Sequence, residues 1–200
     1  GALDNKLAIG TMNRGGIMGA TWELDDRVTS YDVDHIESLG LDGGKTLIRI
    51  DHHDPGVART LETVASITTQ LADRRLMSLI EPLPYLKDAN GGAILDTDPD
   101  ALIKVVAIAS GLGSSSAYSW LKLPTSDRMD EVAAATTLPI LMLGGEPKGS
   151  SGDIFDQWST AMKEPNIRGL TAGRTLLYPS DGDSESAAVR AGAIVHPHHS

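Results

Sequence analysis

The sequence predicts an α/β fold built from repeated βα units. Short apolar runs alternate along the 200 residues with longer segments of helical period. Several of the short runs are apolar on both faces, which is typical of parallel strands covered by helices on both sides. Because the turn residues show no antiparallel hairpin, we expect a parallel sheet with helical crossovers.

Six strands and six helical segments follow from this alternation. The strands are predicted at 6–11, 45–51, 76–82, 119–123, 140–144 and 169–173. The longest helix is predicted at 57–74, and a second at 99–110 has Asp98 as its N-cap and Pro99 at its first position. Further helical segments are predicted at 36–39, 126–135, 153–163 and 184–195, and 196–200 is expected to be a disordered tail.

The composition excludes several classes of partner and site. With 17 basic and 27 acidic residues the formal net charge is −10, which argues against nucleic-acid and acidic-membrane surfaces. The absence of cysteine excludes disulfides, thiolate nucleophiles and sulfur metal ligands. No apolar run approaches the roughly 18 residues that a bilayer span needs. We therefore expect a cytoplasmic protein with a small-molecule partner.

Two glycine turns distinguish between the possible α/β architectures. Gly144 and Gly145 end one predicted strand, and Gly173 and Arg174 end the next. Glycine lets backbone N–H groups approach an anion, and arginine adds a charge, as in the phosphate site after the last strands of many barrels. An open sheet is the alternative, but this feature favours a (βα)8 TIM barrel. Residues 1–195 would then form one barrel domain with about the last six βα units, the first two being absent.

Lys122 lies near the end of the apolar strand 119–123 and is followed closely by Pro124. A lysine at such a position needs a carboxylate partner, or it is kept neutral so that its amine can attack a carbonyl. Both interpretations remain open from the residues alone.

Charged residues on the two preceding strands offer such partners. Lys45, Arg49 and Asp51 would share one face of their strand because alternate residues point the same way. Glu81 interrupts an apolar run, where a carboxylate is costly unless paired or protonated. It could serve in acid–base chemistry or form a salt bridge with Lys45 or Lys122, and the two roles are compatible.

Two polar segments remain ambiguous. Asp51-His52-His53-Asp54 contains ligands that suit zinc or manganese, but adjacent histidines of an extended segment point to opposite sides, so no metal is predicted. Asn13 and Arg14 begin a long connection that could face a substrate. The connection also carries Glu23, Asp25, Asp26 and Arg27, and the alternative is an arginine–carboxylate network that only fixes the loop.

The order of these residues resembles a known family. Lys45, then Ile80-Glu81-Pro82, then Leu121-Lys122-Leu123-Pro124, then the two glycine turns, is similar to the Schiff-base (class I) aldolases of the (βα)8 type. The similarity is closest to the group that includes deoxyribose-phosphate and tagatose-bisphosphate aldolases. Met12 to Gly16, with Glu23 to Asp26, further resembles an actinobacterial barrel family associated with inositol catabolism.

This resemblance implies a lyase that cleaves a phosphorylated ketose-type sugar or sugar acid into dihydroxyacetone phosphate and an aldehyde. Lys122 would form the imine, Lys45 would be a nearby cation and Glu81 a general acid–base. The substrate phosphate would bind at Gly144, Gly145, Gly173 and Arg174, with Asn13, Arg14 and Asp51 for other substrate groups. No cofactor is expected, and we expect a homo-oligomer. The alternatives are a phosphosugar isomerase or epimerase on the same barrel, and a non-catalytic barrel subunit.

Overall fold

The computed structural model describes residues 6–13, 24–144 and 151–197, with only the helical backbone at 151–153. It divides into two compact units, Gly1–Leu121 and Lys122–Ser200. Each unit alternates strands with helices, which confirms the predicted α/β fold. Within residues 6–13, 24–144 and 151–197, no helix combines the length and apolar composition that crossing a bilayer requires.

The first unit is a parallel sheet with helices in its connections. Its parallel strands are β1 (Ile9–Thr11), β2 (Gly43–Ile50), β3 (Met77–Lys87) and β5 (Ser119–Leu123), which is continuous with the second unit after Leu121. They pair in the order β1-β2-β3-β5, with Lys45 beside Leu79 and Leu47 beside Glu81. The connections hold helices α1 (Val33–Ser38), α2 (Gly56–Asp73) and α3 (Pro99–Ser110).

Strand β3 does not end at Pro82, so the prediction for its carboxyl end is wrong. It continues to Lys87 and pairs antiparallel with β4 (Ala93–Leu95), a hairpin that the sequence analysis excluded. The Ser78 amide donates to Tyr118 of the β5 side, so by alternation the nitrogens of Pro82 and Pro84 also face away from β2. The β2–β3 ladder therefore loses no donor at either proline.

Helix α2 covers one face of this sheet. Gly44 of β2 has no room for a side chain because a Cβ there would lie 2.4 Å from Met12 Sδ and 3.3 Å from Leu71 of α2. On β3, the Ser78 hydroxyl bonds to the Thr68 hydroxyl of α2 at 3.0 Å. A buried cluster fills the space between α1, α2 and the end of β1 and comprises Met12, Val33, Ile36, Ile67 and Leu71. The even-numbered residues of β2 and β3 thus face α2.

The second unit contains the parallel pair β6 (Ile140–Leu143) and β7 (Ile167–Thr171). Its helices are α4 (Met129–Ala134), α5 (Ser151–Ala161), α6 (Arg174–Leu177) and α7 (Ser184–Val195). Phe155 and Trp158 of α5 pack edge to face in its core, with ring centroids 5.1 Å apart. The short helix α6 was not predicted, and β7 begins two residues earlier than expected.

Two helices with side-chain caps, α3 and α7, have the bounds that the sequence predicts. Helix α3 spans the predicted residues, and the Asp98 side chain accepts a hydrogen bond from the Asp100 amide at 3.0 Å. Helix α7 also has its predicted bounds, and Asp183 caps it by accepting from the Ser186 amide at 2.9 Å. Helix α4, which has no side-chain cap, is shorter than predicted. Capping does not account for every boundary, because α1 begins at Val33 behind an Asp32 cap although it was predicted at 36–39. Helix α2 has no side-chain cap and still lies within one residue of its predicted bounds.

Candidate functional site

Lys45 and Glu81 form an ion pair on the face of the sheet opposite α2. Lys45 Nζ lies 2.9 Å from Glu81 Oε2, and the two side chains are 17% and 10% exposed. Residues 45, 47 and 49 of β2, and 79, 81, 83 and 85 of β3, share this face because the even-numbered residues point to α2. Of the two salt bridges expected for Glu81, the one to Lys45 is thus present.

Asn13 lies at the end of β1 and continues its ladder along β2 with its side chain. The Leu47 amide donates to Asn13 Oδ1 at 2.6 Å, and Asn13 Nδ2 donates to the Leu47 carbonyl at 2.8 Å. Asn13 Nδ2 also donates to the Asp26 carbonyl at 2.9 Å. Asn13 is fully buried, so its amide links two parts of the backbone.

Asp26 and Arg49 form a second ion pair at this edge of β2. Arg49 Nη2 and Nε donate to Asp26 Oδ1 at 2.7 and 2.9 Å, and the Arg49 amide donates to Oδ2 at 2.7 Å. Both residues are buried. Burial raises the pKa of the Asp26 carboxyl, against the lowering effect of the Arg49 hydrogen bonds. The guanidinium of Arg49 also lies over the Tyr85 ring, 5.7 Å from its centroid.

The polar residues after β2 form separate contacts with nearby groups and do not converge on a common centre. Asp51 is buried and accepts a hydrogen bond from the His53 amide at 2.9 Å. Asp54 forms an ion pair with Lys87 at 2.6 Å, which lowers the pKa of the Asp54 carboxyl. His52 and His53 are exposed. In the described parts of the chain, no three His, Cys, Asp or Glu residues are grouped as metal ligands.

In the second unit, the ends of β6 and β7 meet at Gly144. The Thr175 hydroxyl donates to the Gly144 carbonyl at 3.1 Å, and Thr175 is buried. A Cβ at position 144 would lie 2.9 Å from that hydroxyl and 3.2 Å from Ala172 Cα, so glycine is needed there for close approach. Gly173 and Arg174 begin α6 and are exposed. The structure thus brings Gly144 together with the turn that holds Gly173 and Arg174.

The remaining predicted site residues are Lys122, Arg14 and Gly145. Lys122 lies in β5 as the first residue of the second unit, and strand alternation places its half-buried side chain on the face of Trp120. Its catalytic role stays a prediction. Arg14 and Gly145 lie outside the described residues.

Two polar residues with clear structural roles were missed or undervalued. Asp26 was predicted only as part of the long connection after β1. Its ion pair with Arg49 could have been proposed, because the sequence shows an acid in that connection and an arginine on the next strand. No local sequence pattern marks Thr175 as a site residue, because its hydroxyl reaches Gly144 only in the folded α6 turn.

Comparisons with known proteins identify the family. Residues 1–193 match the family model described as Cgl0159-like. The chain belongs to the Cgl0159-like family. The crystal structure of Cgl0159 from Corynebacterium glutamicum is 45% identical, with a TM-score of 0.93 over 98% of this chain. The chain spans 66% of the length of that Cgl0159 protein. Comparison with curated proteins returned no match.

The fold of this Cgl0159-like chain is shared with fructose-bisphosphate aldolases. An archaeal fructose 1,6-bisphosphate aldolase is 17% identical with a TM-score of 0.73, covering 96% of this chain and 72% of that one. The enzyme from Slackia heliotrinireducens is 12% identical with a TM-score of 0.66, covering 98% and 67%. At these identities the likeness shows the fold alone. It is consistent with part of a (βα)8 barrel.

Proposed function

We propose that this Cgl0159-like protein is a class I aldolase in which Lys122 forms a Schiff base with a phosphorylated ketose-type substrate. The Lys122 amine would add to the substrate ketone, and loss of water from the carbinolamine would leave an iminium. Cleavage of the carbon–carbon bond would release an aldehyde, and the bonding electrons would pass into the iminium to form an enamine. Protonation of the enamine carbon and hydrolysis of the imine would then release dihydroxyacetone phosphate.

The observation that carries this proposal is the Lys45–Glu81 pair. Its atoms are 2.9 Å apart on the face of the sheet opposite α2. Carbinolamine formation and dehydration each need a proton to be moved, and a carboxylate held by an ammonium can accept and return one. The aldolase fold supports the same assignment, since an archaeal relative of this fold has been seen with its catalytic lysine bound to the carbinolamine intermediate. We assign Glu81 as the acid–base group and Lys45 as its cation.

For the phosphate we propose the ends of β6 and β7. Gly144 and the turn of Gly173 and Arg174 are brought together by the Thr175 hydrogen bond. Gly145 belongs to the same proposal. Arg174 would supply the positive charge, and the bound phosphate would hold the ketone in place for attack. Asn13, Arg14 and Asp51 are assigned to the other substrate groups.

The substrate class follows from the resemblance rather than from any contact. We propose a phosphorylated ketose or sugar acid, and within it a deoxy-ketogluconate phosphate of inositol catabolism. The homo-oligomeric state and the cytoplasmic location expected from the sequence belong to this proposal as well.

Borohydride trapping tests the proposed nucleophile. The full-length protein is incubated with dihydroxyacetone phosphate and sodium borohydride, and the modified peptide is mapped by mass spectrometry. We expect one reduced adduct, on Lys122, because hydride converts the iminium to a stable secondary amine. Lys122→Met should abolish the adduct, whereas Lys104→Met, which removes an exposed lysine of α3, should not. An unmodified Lys122 in the parent protein would refute the aldolase proposal, and isomerisation of the sugar phosphate without an adduct would favour an isomerase.

A further inference from the structure

The turn between β3 and β4 contains the dipeptide Asn90-Gly91, which has no part in the proposed function. Both residues are exposed. The chain has asparagines at positions 5, 13, 90 and 166, and of these Asn90 alone is followed by glycine. Because glycine has no Cβ, its backbone nitrogen is open to close approach by another group. The turn thus places a side-chain carboxamide next to an unhindered backbone nitrogen.

The other asparagines in the described parts of the chain are held by the fold. Asn13 is fully buried. Asn166 Nδ2 donates hydrogen bonds to the Ala133 and Thr136 carbonyls at 3.0 and 3.1 Å. By contrast, the Asn90 carboxamide makes no hydrogen bond with another described residue, and the Asn90 backbone amide is the group that is bound. The Asn90 side chain can therefore rotate towards the nitrogen that follows it.

We propose that Asn90-Gly91 is a site of spontaneous deamidation through a cyclic succinimide. The Gly91 nitrogen loses its proton to hydroxide and forms a bond with Asn90 Cγ. The bond from Cγ to the side-chain nitrogen breaks, and that nitrogen takes a proton from water and leaves as ammonia. Water then opens the ring, giving aspartate by attack at Cγ or isoaspartate by attack at the Asn90 backbone carbonyl. Water is the only co-reactant, and no atom is oxidised or reduced.

Asp88 controls how readily this reaction begins. Its carbonyl accepts a hydrogen bond from the Gly91 amide at 3.0 Å. Its carboxylate accepts from the Asn90 and Gly92 amides at 2.8 and 2.7 Å. The Gly91 nitrogen must break its hydrogen bond before it can attack, and the neighbouring negative charge disfavours the loss of an amide proton. The reaction therefore proceeds from an opened turn, and Asp88 slows it by keeping the turn closed.

The isoaspartyl product does not fit the turn that the structure shows. The Asp88 amide donates to the Gly92 carbonyl at 2.8 Å, and residues 89–91 form the loop that this bond closes. Isoaspartate lengthens the backbone of the loop by one methylene group, so the loop no longer matches the closing bond. It also adds a carboxylate close to that of Asp88, and the two like charges repel. Deamidation therefore destabilises the end of the β3–β4 hairpin.

Ageing of the folded full chain tests the site. The protein is incubated at neutral and at mildly alkaline pH, with circular dichroism to confirm that it stays folded. It is then digested at mildly acidic pH, and its peptides are analysed by mass spectrometry. Isoaspartate is detected by methyl transfer from S-adenosylmethionine with a protein isoaspartyl methyltransferase. We expect Asn90 to deamidate before Asn166, faster at the alkaline pH, with isoaspartate among the products.

Variants of the cap test the control by Asp88. Asp88→Ala should accelerate deamidation of Asn90 about fivefold, the factor that one net hydrogen bond is worth. Asp88→Asn removes the charge but keeps an acceptor, and it should also accelerate the reaction if Asp88→Ala does not fold. Asp98→Ala removes a comparable cap, which accepts from the Asp100 amide at the start of α3, and should leave the rate at Asn90 unchanged.

Three outcomes would overturn these assignments. An Asn90 that stays intact in the folded chain, while a synthetic peptide of residues 86–94 deamidates, would refute the site. Deamidation of Asn166 as fast as that of Asn90 would show that the turn does not select the residue, and would refute it as well. Equal rates at Asn90 in the parent and in a folded Asp88 variant would refute the control by Asp88.

Discussion

Lys45 and Glu81 show how two charges can be accommodated on a largely buried face. Each side chain is costly to bury alone, and the 2.9 Å contact between Nζ and Oε2 supplies the opposite charge that both require. The strand register makes this possible, because Glu81 lies beside Leu47, two residues from Lys45 on the same face. The contact thus gives each of the two charges a partner of opposite sign.

Breaking this pair should destabilise the protein more than breaking a surface pair. For Lys45→Met we expect a loss of about 2 kcal/mol in the free energy of unfolding, because the largely buried Glu81 side chain loses its contact with the Lys45 ammonium. Adding Glu81→Gln should recover part of that loss. Urea denaturation measures both values. The control is Arg74→Gln, which breaks an exposed ion pair with Asp34 and Glu37, since exposed pairs contribute about 1 kcal/mol or less. Equal losses for Lys45→Met and Arg74→Gln would show that the burial of the Lys45–Glu81 pair has no energetic consequence.

At the scale of elements, the β3–β4 hairpin is the main departure from a simple βα repeat. Its turn contains Asn90-Gly91, and Gly91 has a φ of +79°, in the left-handed region that favours glycine. The Asp88 side chain accepts hydrogen bonds from the Asn90 and Gly92 amides at 2.8 and 2.7 Å. The turn thus has a local cause, and the Asn90-Gly91 dipeptide is itself a common hairpin signal.

Two glycine substitutions test whether backbone conformation determines the effect of adding a side chain. Gly91→Ala should cost about 1 kcal/mol, because a Cβ is disfavoured at that φ although no atom lies within 4 Å of it. Gly192→Ala, in helix α7 and also with open space around the new Cβ, should stabilise by up to about 1 kcal/mol. Thermal and urea unfolding of the two variants should therefore shift in opposite directions. A shift of the same sign would mean that backbone conformation does not decide the effect.

At the scale of the whole molecule, the net charge of −10 reflects an excess of carboxyl groups, and their protonation in acid affects the stability of the fold. Among the residues that the structure describes, the pKa is lowered for Asp32 through the hydrogen bonds from His35, for Asp54 through Lys87 and for Glu131 through Arg128. A carboxyl whose pKa is lowered in the folded protein stabilises it at pH values above the ordinary pKa of that carboxyl. The stabilisation is lost as the pH falls through the lowered pKa. The protein should therefore lose stability in acid below about pH 4.

The Asp54–Lys87 pair gives this prediction a specific variant. The pKa of Lys87 is raised by Asp54, so the contribution of the pair is complete between the ordinary values of 3.8 for Asp54 and 10.5 for Lys87. Lys87→Gln should lower the free energy of unfolding at pH 7 and make no difference well below pH 3.8. Urea denaturation across that pH range measures the difference. A difference that persists unchanged in strong acid would contradict the assigned cause.

The sequence by itself determined the α/β class, the alternation of elements and the bounds of helices α3 and α7. Periodicity and capping act over a few residues, so Asp98 and Asp183 set the starts of α3 and α7 without help from the rest of the chain. The Lys45–Glu81 pair was also accessible, because neighbouring parallel strands bring inward-facing charges together. The single barrel domain, the role of Lys122 and the phosphate site remain predictions.

Only the tertiary structure decided how the ends of the strands are completed. Asp26 meets Arg49 across 23 residues of sequence, Asn13 meets Leu47 across 34, and Thr175 meets Gly144 across 31. Packing and strand register select such partners. Because no local pattern encodes packing or register, these pairings could not be identified from the sequence. The extension of β3 past Pro82 and Pro84 also depends on tertiary structure. A proline costs a strand a hydrogen bond only where its missing N–H would have faced a paired strand.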